Sequence, residues 1–308
     1  MSKSTKMKTL IVLAIMIFSF FLYSCEKVIT IKPPSYFGKV SIQSMLEPDS
    51  LPVVYFNRTV PYLGNDVALG ALAIRNAVIR ISNSSGTDIL HFDSSFNRIY
   101  CQYDYYYKEN LPIQLNQTHT LTITNGTDTY TATASTSLSK ATIDSTAYTA
   151  AFNDLYGEHE GVIVYFKDMP SQINYYRYEM IRYVDTSTQL AGPKLPASTC
   201  LATDRKDSAL VHELGRSVYS DQGQTGQQIK IVIEPAYTHK NGTRGTIYIQ
   251  TIDKNAHDFF DQLDKQKLAQ YNPFVEPVFL RYGQFGSKAI GYFSAMVKSN
   301  PAPYVFPE

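Results

Sequence analysis

Residues that could carry chemistry are few in this sequence, and none stands in a recognised catalytic motif. The nucleophile elbow G-x-S-x-G, the zinc-protease motif H-E-x-x-H and the phosphate-binding P-loop are absent. His212-Glu213 lacks the second histidine of a zinc protease. Paired carboxylates for glycoside hydrolysis are not recognisable from sequence, because their separation is set by the fold. We therefore predict a non-enzymatic protein, with an envelope hydrolase as the less favoured alternative.

One compact group of potential metal ligands exists, Glu158-His159-Glu160. Carboxylates and an imidazole can bind a divalent cation, but adjacent side chains of an extended segment point to opposite sides. We expect a solvated loop here, and we predict neither a metal nor another cofactor. The net charge of +1, with dispersed lysines and arginines, gives no basic patch for nucleic acid.

The clearest chemical site is a cysteine that follows an apolar run. Three lysines within residues 1–8 precede the apolar residues 10–22, a run shorter than the about 20 residues that span a bilayer. This arrangement is typical of a cleaved signal peptide. Leu22-Tyr23-Ser24-Cys25 resembles a lipobox, in which the cysteine receives a diacylglyceryl group and cleavage falls just before it. We predict a signal peptide over residues 1–24 and lipidation of Cys25; the alternative is an ordinary secretory signal.

Lipidation would anchor the protein to a membrane without a transmembrane helix. Glu26, rather than an aspartate, follows the cysteine and gives no inner-membrane retention signal, so we predict an outer-membrane protein. The leaflet stays open, because no acidic run of the kind that marks surface export follows. Residues 25–37 are predicted to form a lipidated tether, which Pro33-Pro34 stiffens towards extended geometry.

The number of cysteines does not indicate a framework of disulfide bonds. After lipidation of Cys25 only Cys101 and Cys200 remain. The envelope is oxidising, so they could pair. We expect two buried free thiols, because the two residues fall in different predicted domains, and a disulfide is the alternative.

The body of the chain is predicted to be mostly β. About seven short strands separated by turn signals occupy residues 38–135, a pattern typical of an immunoglobulin-like β-sandwich. The clearest hairpin joins His119–Thr124 to Thr129–Ala134 through Asn125-Gly126, the preferred type I′ pair. Residues 135–147 are small and polar and are predicted to link two domains.

A second, antiparallel β domain is predicted over residues 148–308. It carries strands at residues 161–167, 175–184, 278–282 and 290–297, and a hairpin of residues 228–233 and 245–250 around Asn241-Gly242. One helix is predicted near residues 255–269, capped by Asp253 or Asn255, because apolar residues recur there at helical spacing.

Three consecutive tyrosines, Tyr105, Tyr106 and Tyr107, are the candidate partner contact. In a strand they cannot all face one core, so at least one is exposed or covered by a neighbour. Tyrosine is enriched at interfaces, which favours contact with a protein or glycan. The alternative is that the rings pack over the edge of the sandwich or the domain junction.

With these segments placed, the chain resembles a family of lipoproteins of the Bacteroidota known as domain of unknown function 4249 (DUF4249). The similarity starts at the lipobox and Glu26–Ile29, and it includes Asn174-Tyr175-Tyr176 and Tyr219-Ser220-Asp221 with Gly226. Its most specific part is Asn272-Pro273-Phe274-Val275-Glu276-Pro277-Val278. The family's Gly-Gly-x-Gly turn is broken here, although Gly291 and Phe293 match positions in that region.

The resemblance implies an outer-membrane lipoprotein, often encoded near TonB-dependent receptors, and it supplies no activity or site residues. From it we predict an accessory or binding component that acts with a TonB-dependent transporter or another envelope protein in nutrient uptake. A structural or adhesive surface module is the alternative.

Overall fold

The structure, a computed structural model, describes the following residues: 39–60, 69–97, 102–154, 157–170, 172–185, 208–214, 218–222, 226–235, 242–271, 278–281 and 283–307. The signal peptide, Cys25, the tether, Cys101, Cys200 and residues 272–277 lie outside them. Among the described residues, no helix has the length and apolar character needed to cross a membrane.

The amino-terminal part is built from seven described strands, as predicted. They are β1 (Val40–Leu46), β2 (Val53–Arg58), β3 (Val78–Asn83), β4 (Gly86–Asn97), β5 (Gln102–Lys108), β6 (Thr118–Asn125) and β7 (Asp128–Ser135). Side chains alternate between buried and half-buried along β1, the period that places every second residue in a core. A short helix that was not predicted, α1 (Leu69–Leu72), follows β2.

The carboxyl-terminal part is also mostly β. It contains β8 (Thr142–Asp154), β9 (Gly157–Lys167), β10 (Tyr175–Asp185), β11 (Ser208–Leu214), β12 (Tyr219–Ser220), β13 (Gln228–Ile233), β14 (Arg244–Ile252), β15 (Ala289–Lys298) and β16 (Ala302–Val305). One long helix, α2 (Lys254–Tyr271), and a 3-10 turn (Gly286–Lys288) lie between β14 and β15. The predicted fold class, a β-sandwich followed by a β domain with one long helix, is confirmed.

The strands of the sandwich form a sheet that closes around a core. The order is β1-β2-β5-β4-β3-β6-β7, with antiparallel neighbours. Phe56 on β2 lies edge-on to Tyr130 on β7, with ring centroids 5.9 Å apart, although these strands are not paired. Both rings belong to one buried cluster that also contains Ile79 and Leu121. β2 and β7 therefore face each other across the core.

β1 also joins the sandwich to the end of the chain. It pairs in parallel with β15, from Val40 opposite Ala289 to Leu46 opposite Ala295. Phe293 is fully buried in the sandwich core. A single hydrogen-bonded path of strands thus runs through both predicted domains. The division at residues 135–148 stays a prediction.

A second core lies under the carboxyl-terminal strands. It fills the space between the three-stranded sheet β13-β9-β8 and the part of the larger sheet formed by β10 and β14. Phe166 on β9 meets Tyr176 on β10 with ring centroids 4.9 Å apart. The β-branched alternation of β13, with Ile231 and Ile233 buried, explains why that strand covers this core.

Two strand assignments of the prediction are wrong. The segments at residues 228–233 and 245–250 do not form a hairpin, because β13 pairs with β9 whereas β14 pairs with β10, β15 and β16. Residues 278–281 are not a strand. β8 begins at Thr142, within residues 135–147, and the assignment of that segment as a link between two domains stays a prediction.

The hairpin at Asn125-Gly126 and the long helix are confirmed. The predicted turn type is wrong: Asn125 pairs with Asp128, so the two central residues are Gly126 and Thr127. Only Gly126 has a positive φ, of 61°, whereas a type I′ turn requires positive φ at both central residues. Asp253 caps α2, because its Oδ1 accepts from the Ala256 N–H at 3.0 Å. Its Oδ2 accepts from the Ala295 N–H at 3.0 Å, which fixes the start of the helix against β15.

Candidate partner-binding surface

The three consecutive tyrosines point in different directions. Tyr107 is 2 % exposed, and its hydroxyl donates to the Ile74 carbonyl at 2.8 Å and accepts from the Ala77 N–H at 3.1 Å. This burial removes Tyr107 from the predicted contact surface, because its ring belongs to the sandwich core. Tyr105 and Tyr106 are half-buried and lie on opposite faces of β5.

Tyr106 extends an aromatic row across one face of the sheet. Gln43 on β1 pairs with Tyr292 on β15 and with Tyr55 on β2, so these side chains share a face. Tyr55 is 39 % exposed, and its ring lies 6.0 Å from that of Tyr106. We call Tyr292, Tyr55 and Tyr106 the tyrosine row.

Helix α2 covers one end of the tyrosine row. Phe259 and Phe260 contact the Tyr292 ring at centroid distances of 5.0 and 5.1 Å, and the Arg177 guanidinium lies 4.1 Å from the Phe260 centroid. Burial raises the pKa of Tyr292 to about 12, against the opposing effect of Arg177. Burial, with Asp104 nearby, also raises the pKa of Tyr55. Both phenols are therefore neutral hydrogen-bonding groups near pH 7.

The other face of the β4–β5 hairpin carries a second set of rings. Tyr105 stacks on Phe92 with centroids 6.1 Å apart, and Tyr103 meets Phe96 at 5.1 Å. Arg75 lies over the Tyr105 ring at 4.9 Å. Phe96 is 45 % and Tyr103 52 % exposed, so the rings continue from the core into solvent.

Elsewhere, four residues of the DUF4249-like motifs meet in a buried polar junction. Asn174 donates through Nδ2 to Asp221 at 3.1 Å, and its backbone N–H donates to the same carboxylate at 2.9 Å. Asp168 completes the junction: it accepts from Asn174 Nδ2 at 3.2 Å, from the Gly226 N–H at 2.7 Å and from the Tyr176 hydroxyl. Exposure is 4 % or less for Asp168, Asn174, Tyr176 and Asp221.

Two carboxyl groups share this junction, and their proximity sets its electrostatics. Burial raises the pKa of Asp221; the hydrogen bonds from Asn174 oppose the rise and the neighbouring Asp168 adds to it. Burial and the bond to Asp168 also raise the pKa of Tyr176. The junction ties the end of β9 to the start of β10 and to the turn after β12. The sequence motifs marked the asparagine, the tyrosine, Asp221 and the glycine, but no signal in the sequence marked Asp168.

A buried ion pair lies on β10 and β11. Arg182 donates from Nη2 and Nε to Glu213 at 2.7 and 2.9 Å, and both side chains are 3 % exposed or less. On the opposite face of β10, Glu179 lies 2.9 Å from His212 Nδ1 and 3.1 Å from Lys298 Nζ. Although burial opposes ionisation, these contacts hold the pKa of Glu179 below its ordinary value.

The candidate metal ligands have separate partners. Glu160 accepts from the Tyr148 hydroxyl at 2.7 Å, whereas the His159 ring contacts Phe152 at 6.1 Å and lies 3.7 Å from Glu234. The segment belongs to strand β9 rather than to a loop. Within the described ranges, no group of three or more histidine, cysteine, aspartate or glutamate side chains is placed to hold a metal ion.

The model of one protein family, described as domain of unknown function (DUF4249), matches residues 26–300. The chain belongs to this family. No curated protein sequence matches it. For this DUF4249 protein, the match extends from the residue after the predicted lipidation site to two residues past β15. It includes the tyrosine row, the polar junction and the sandwich core, whereas Tyr304 and Phe306 of the second core lie beyond it.

Proposed function

We propose that this DUF4249 protein is a lipid-anchored, non-enzymatic accessory protein of the outer membrane. In this proposal it binds an envelope partner, a TonB-dependent transporter, and assists nutrient uptake. The lipobox at Cys25 supports the anchor, and the family resemblance supports the class of partner. The body then serves as a rigid β scaffold that presents a binding surface.

The tyrosine row is the observation that carries the proposal. Tyr55 and Tyr106 hold their rings against each other on a regular sheet, so little side-chain entropy is lost when a partner covers them. Each ring offers apolar area and a hydroxyl group, the combination enriched at protein interfaces. At one end of the row, Phe259 and Phe260 of α2 pack against the Tyr292 ring.

Affinity purification of the tagged, lipidated protein from outer membranes tests the proposal. We expect a transporter to co-purify with the unaltered protein and to be lost with the double variant Tyr55→Ser/Tyr106→Ser. Tyr183→Ser is the matched control, because Tyr183 is a 63 % exposed tyrosine on β10, away from the row. Recovery of the lipoprotein alone contradicts the proposal. Binding to extracellular matrix or neighbouring cells, with no transporter, would instead favour an adhesive module.

A further inference from the structure

The end of the sheet at which β1 begins carries basic side chains. Val40, the first residue of β1, pairs with Arg58 on β2 and with Ala289 on β15. Arg58 and Lys288, which precedes Ala289, are both exposed. Arg58 donates to the Ala71 carbonyl at 3.3 Å. In the described part of the chain, neither residue makes an ion pair with a carboxylate.

The exposed rings of the β4–β5 hairpin reach the same end. β2 and β5 are antiparallel, with Val53 opposite Lys108 and Val54 opposite Tyr107. The far end of the β4–β5 hairpin, where Tyr103 pairs with Phe96, therefore points in the direction of Arg58. Beside the end of β2 lies the segment after α1, in which Ala73 bridges Asn57. The carboxylate at this end of the hairpin, Asp104, lies on the other face and accepts from Asn97 at 2.9 Å.

Arg75 links the rings to the basic residues. Its guanidinium lies over the rings of Tyr105 and Phe92, and it donates to the Gly70 carbonyl at 3.4 Å in α1, the helix that also binds Arg58. Among the described residues no carboxylate pairs with it. We call Arg58, Arg75, Phe96, Tyr103 and Lys288 the tether-end face. It combines three cations with two exposed aromatic rings.

The length of the predicted tether limits how far this face can lie from the predicted lipid anchor. Thirteen residues lie between Cys25 and Lys39, and the fourteen Cα–Cα steps that join them span at most about 50 Å in a fully extended chain. If acyl chains hold Cys25, the membrane surface is the ligand at the highest effective concentration. Clustered basic residues bind anionic lipid headgroups, and tyrosine and other amphipathic rings favour the interface between lipid and water.

We infer that the tether-end face docks on the anionic lipid surface of the membrane that holds Cys25. The inference rests on the proposed function for the lipid anchor alone and needs no protein partner. Docking at this end of the strands places the strand axes roughly perpendicular to the membrane surface. The tyrosine row then faces parallel to that surface, towards other proteins in the same membrane.

Hydrogen–deuterium exchange of the mature lipidated protein tests the inference. The protein is reconstituted in phosphatidylcholine vesicles with or without phosphatidylglycerol, and exchange is followed in residues 92–97 and 102–107. We expect slower exchange in the anionic vesicles and a return to the zwitterionic rate at high salt. Equal exchange in both vesicles, or a difference that salt does not remove, overturns the inference.

Variants assign the effect to named side chains. Removing each cation is expected to lower the ratio of docked to undocked molecules about five-fold. Arg58→Ala/Arg75→Ala/Lys288→Ala should therefore exchange as it does without phosphatidylglycerol, and Phe96→Ser/Tyr103→Ser should weaken docking without altering Arg58. The control is Arg80→Ala/Lys167→Ala/Lys230→Ala, which removes three exposed cations elsewhere and should leave docking unchanged. Equal loss in the control triple variant contradicts the assignment.

Separate measurements distinguish a failure of the proposed function from a failure of lipid docking. Flotation with phosphatidylcholine vesicles reports the acyl anchor, whereas the exchange difference reports docking of the face. Protection of residues 92–107 that appears only after addition of outer-membrane proteins would show that the face binds protein, which overturns lipid docking and leaves the proposed function standing. Salt-sensitive protection in pure vesicles supports lipid docking even if no transporter co-purifies.

Discussion

Gly291 on β15 lies so close to Ile42 on β1 that a Cβ on Gly291 would overlap the Ile42 carbonyl oxygen. Its φ of 123° is also in a region that favours glycine. The parallel β1–β15 pair has no room to shift, because both strands contribute buried side chains to the sandwich core. Gly291→Ala should therefore lower the free energy of unfolding by about 3 kcal/mol or more, as measured by urea denaturation.

Gly126→Ala is the matched control for that prediction. Gly126 also has a positive φ, 61°, but nothing lies within 4 Å of its Cβ position. Only backbone strain opposes the substitution, so the expected loss is about 1 kcal/mol. Equal losses at the two positions would contradict the close approach of β1 and β15.

The hydroxyl of Tyr107 should matter for stability, whereas those of its neighbours should not. Tyr107→Phe leaves the buried Ile74 carbonyl and Ala77 N–H without their partner and should cost about 2 kcal/mol. Tyr105→Phe and Tyr106→Phe keep the ring contacts and should change stability by less than about 0.5 kcal/mol. Thermal or urea denaturation of the three variants checks the assignment; a cost shared equally among them would be incompatible with a buried Tyr107.

Breaking the ion pair between Arg182 and Glu213 should be more harmful than replacing it. Glu213→Gln removes the carboxylate that accepts two hydrogen bonds from the buried Arg182 guanidinium, and the expected cost is about 3–5 kcal/mol. The double variant Arg182→Met/Glu213→Leu removes both charges and should recover most of that loss. Urea denaturation of the two variants measures the difference, and a double variant less stable than Glu213→Gln would refute the argument.

The polar junction should make stability depend on pH in a defined direction. The pKa of Asp221 is raised in the folded protein, so folding binds its proton more tightly. That contribution is complete below about pH 3.9, the ordinary value for aspartate, and is lost as the pH rises through the folded-state pKa. Asp221→Asn keeps an oxygen that can accept from the Asn174 N–H but cannot ionise.

The variant Asp221→Asn should therefore gain stability relative to the unaltered protein as the pH rises from about 4 to about 8. Urea denaturation of both proteins across that range gives the difference, in which the pH dependence of groups remote from the junction cancels. A difference that does not vary with pH would mean that Asp221 is not held in a shared carboxyl junction.

Short sequence motifs predicted the features that depend on interactions between residues close in the chain. Asn125-Gly126 marked the place of a two-residue turn, although the turn residues are Gly126 and Thr127 and only Gly126 has a positive φ. Asp253 before an apolar stripe marked the start of α2. The type and period of most strands followed from alternation. Asn241-Gly242 led to a wrong prediction of a hairpin, because a turn motif does not determine which strands pair. β13 and β14 belong to different sheets.

The rest of the fold depends on contacts between residues far apart in the chain. No sequence pattern near Val40 indicates that β1 will pair in parallel with β15. Likewise, no pattern near Asp168 indicates the junction with Asp221. The tyrosines illustrate the same limit: alternation predicted that they would face different sides, but which side becomes core depends on the neighbouring strands.

Analysis of the mature amino terminus tests the account most directly, because both the proposed function and lipid docking require an anchored Cys25. Mass spectrometry of the protein from cell envelopes should find an amino-terminal peptide that starts at Cys25 and carries a diacylglyceryl group. Cys25→Ser should abolish the modification and release the protein from the membrane fraction. An unmodified Cys25, or cleavage at another bond, would contradict the account.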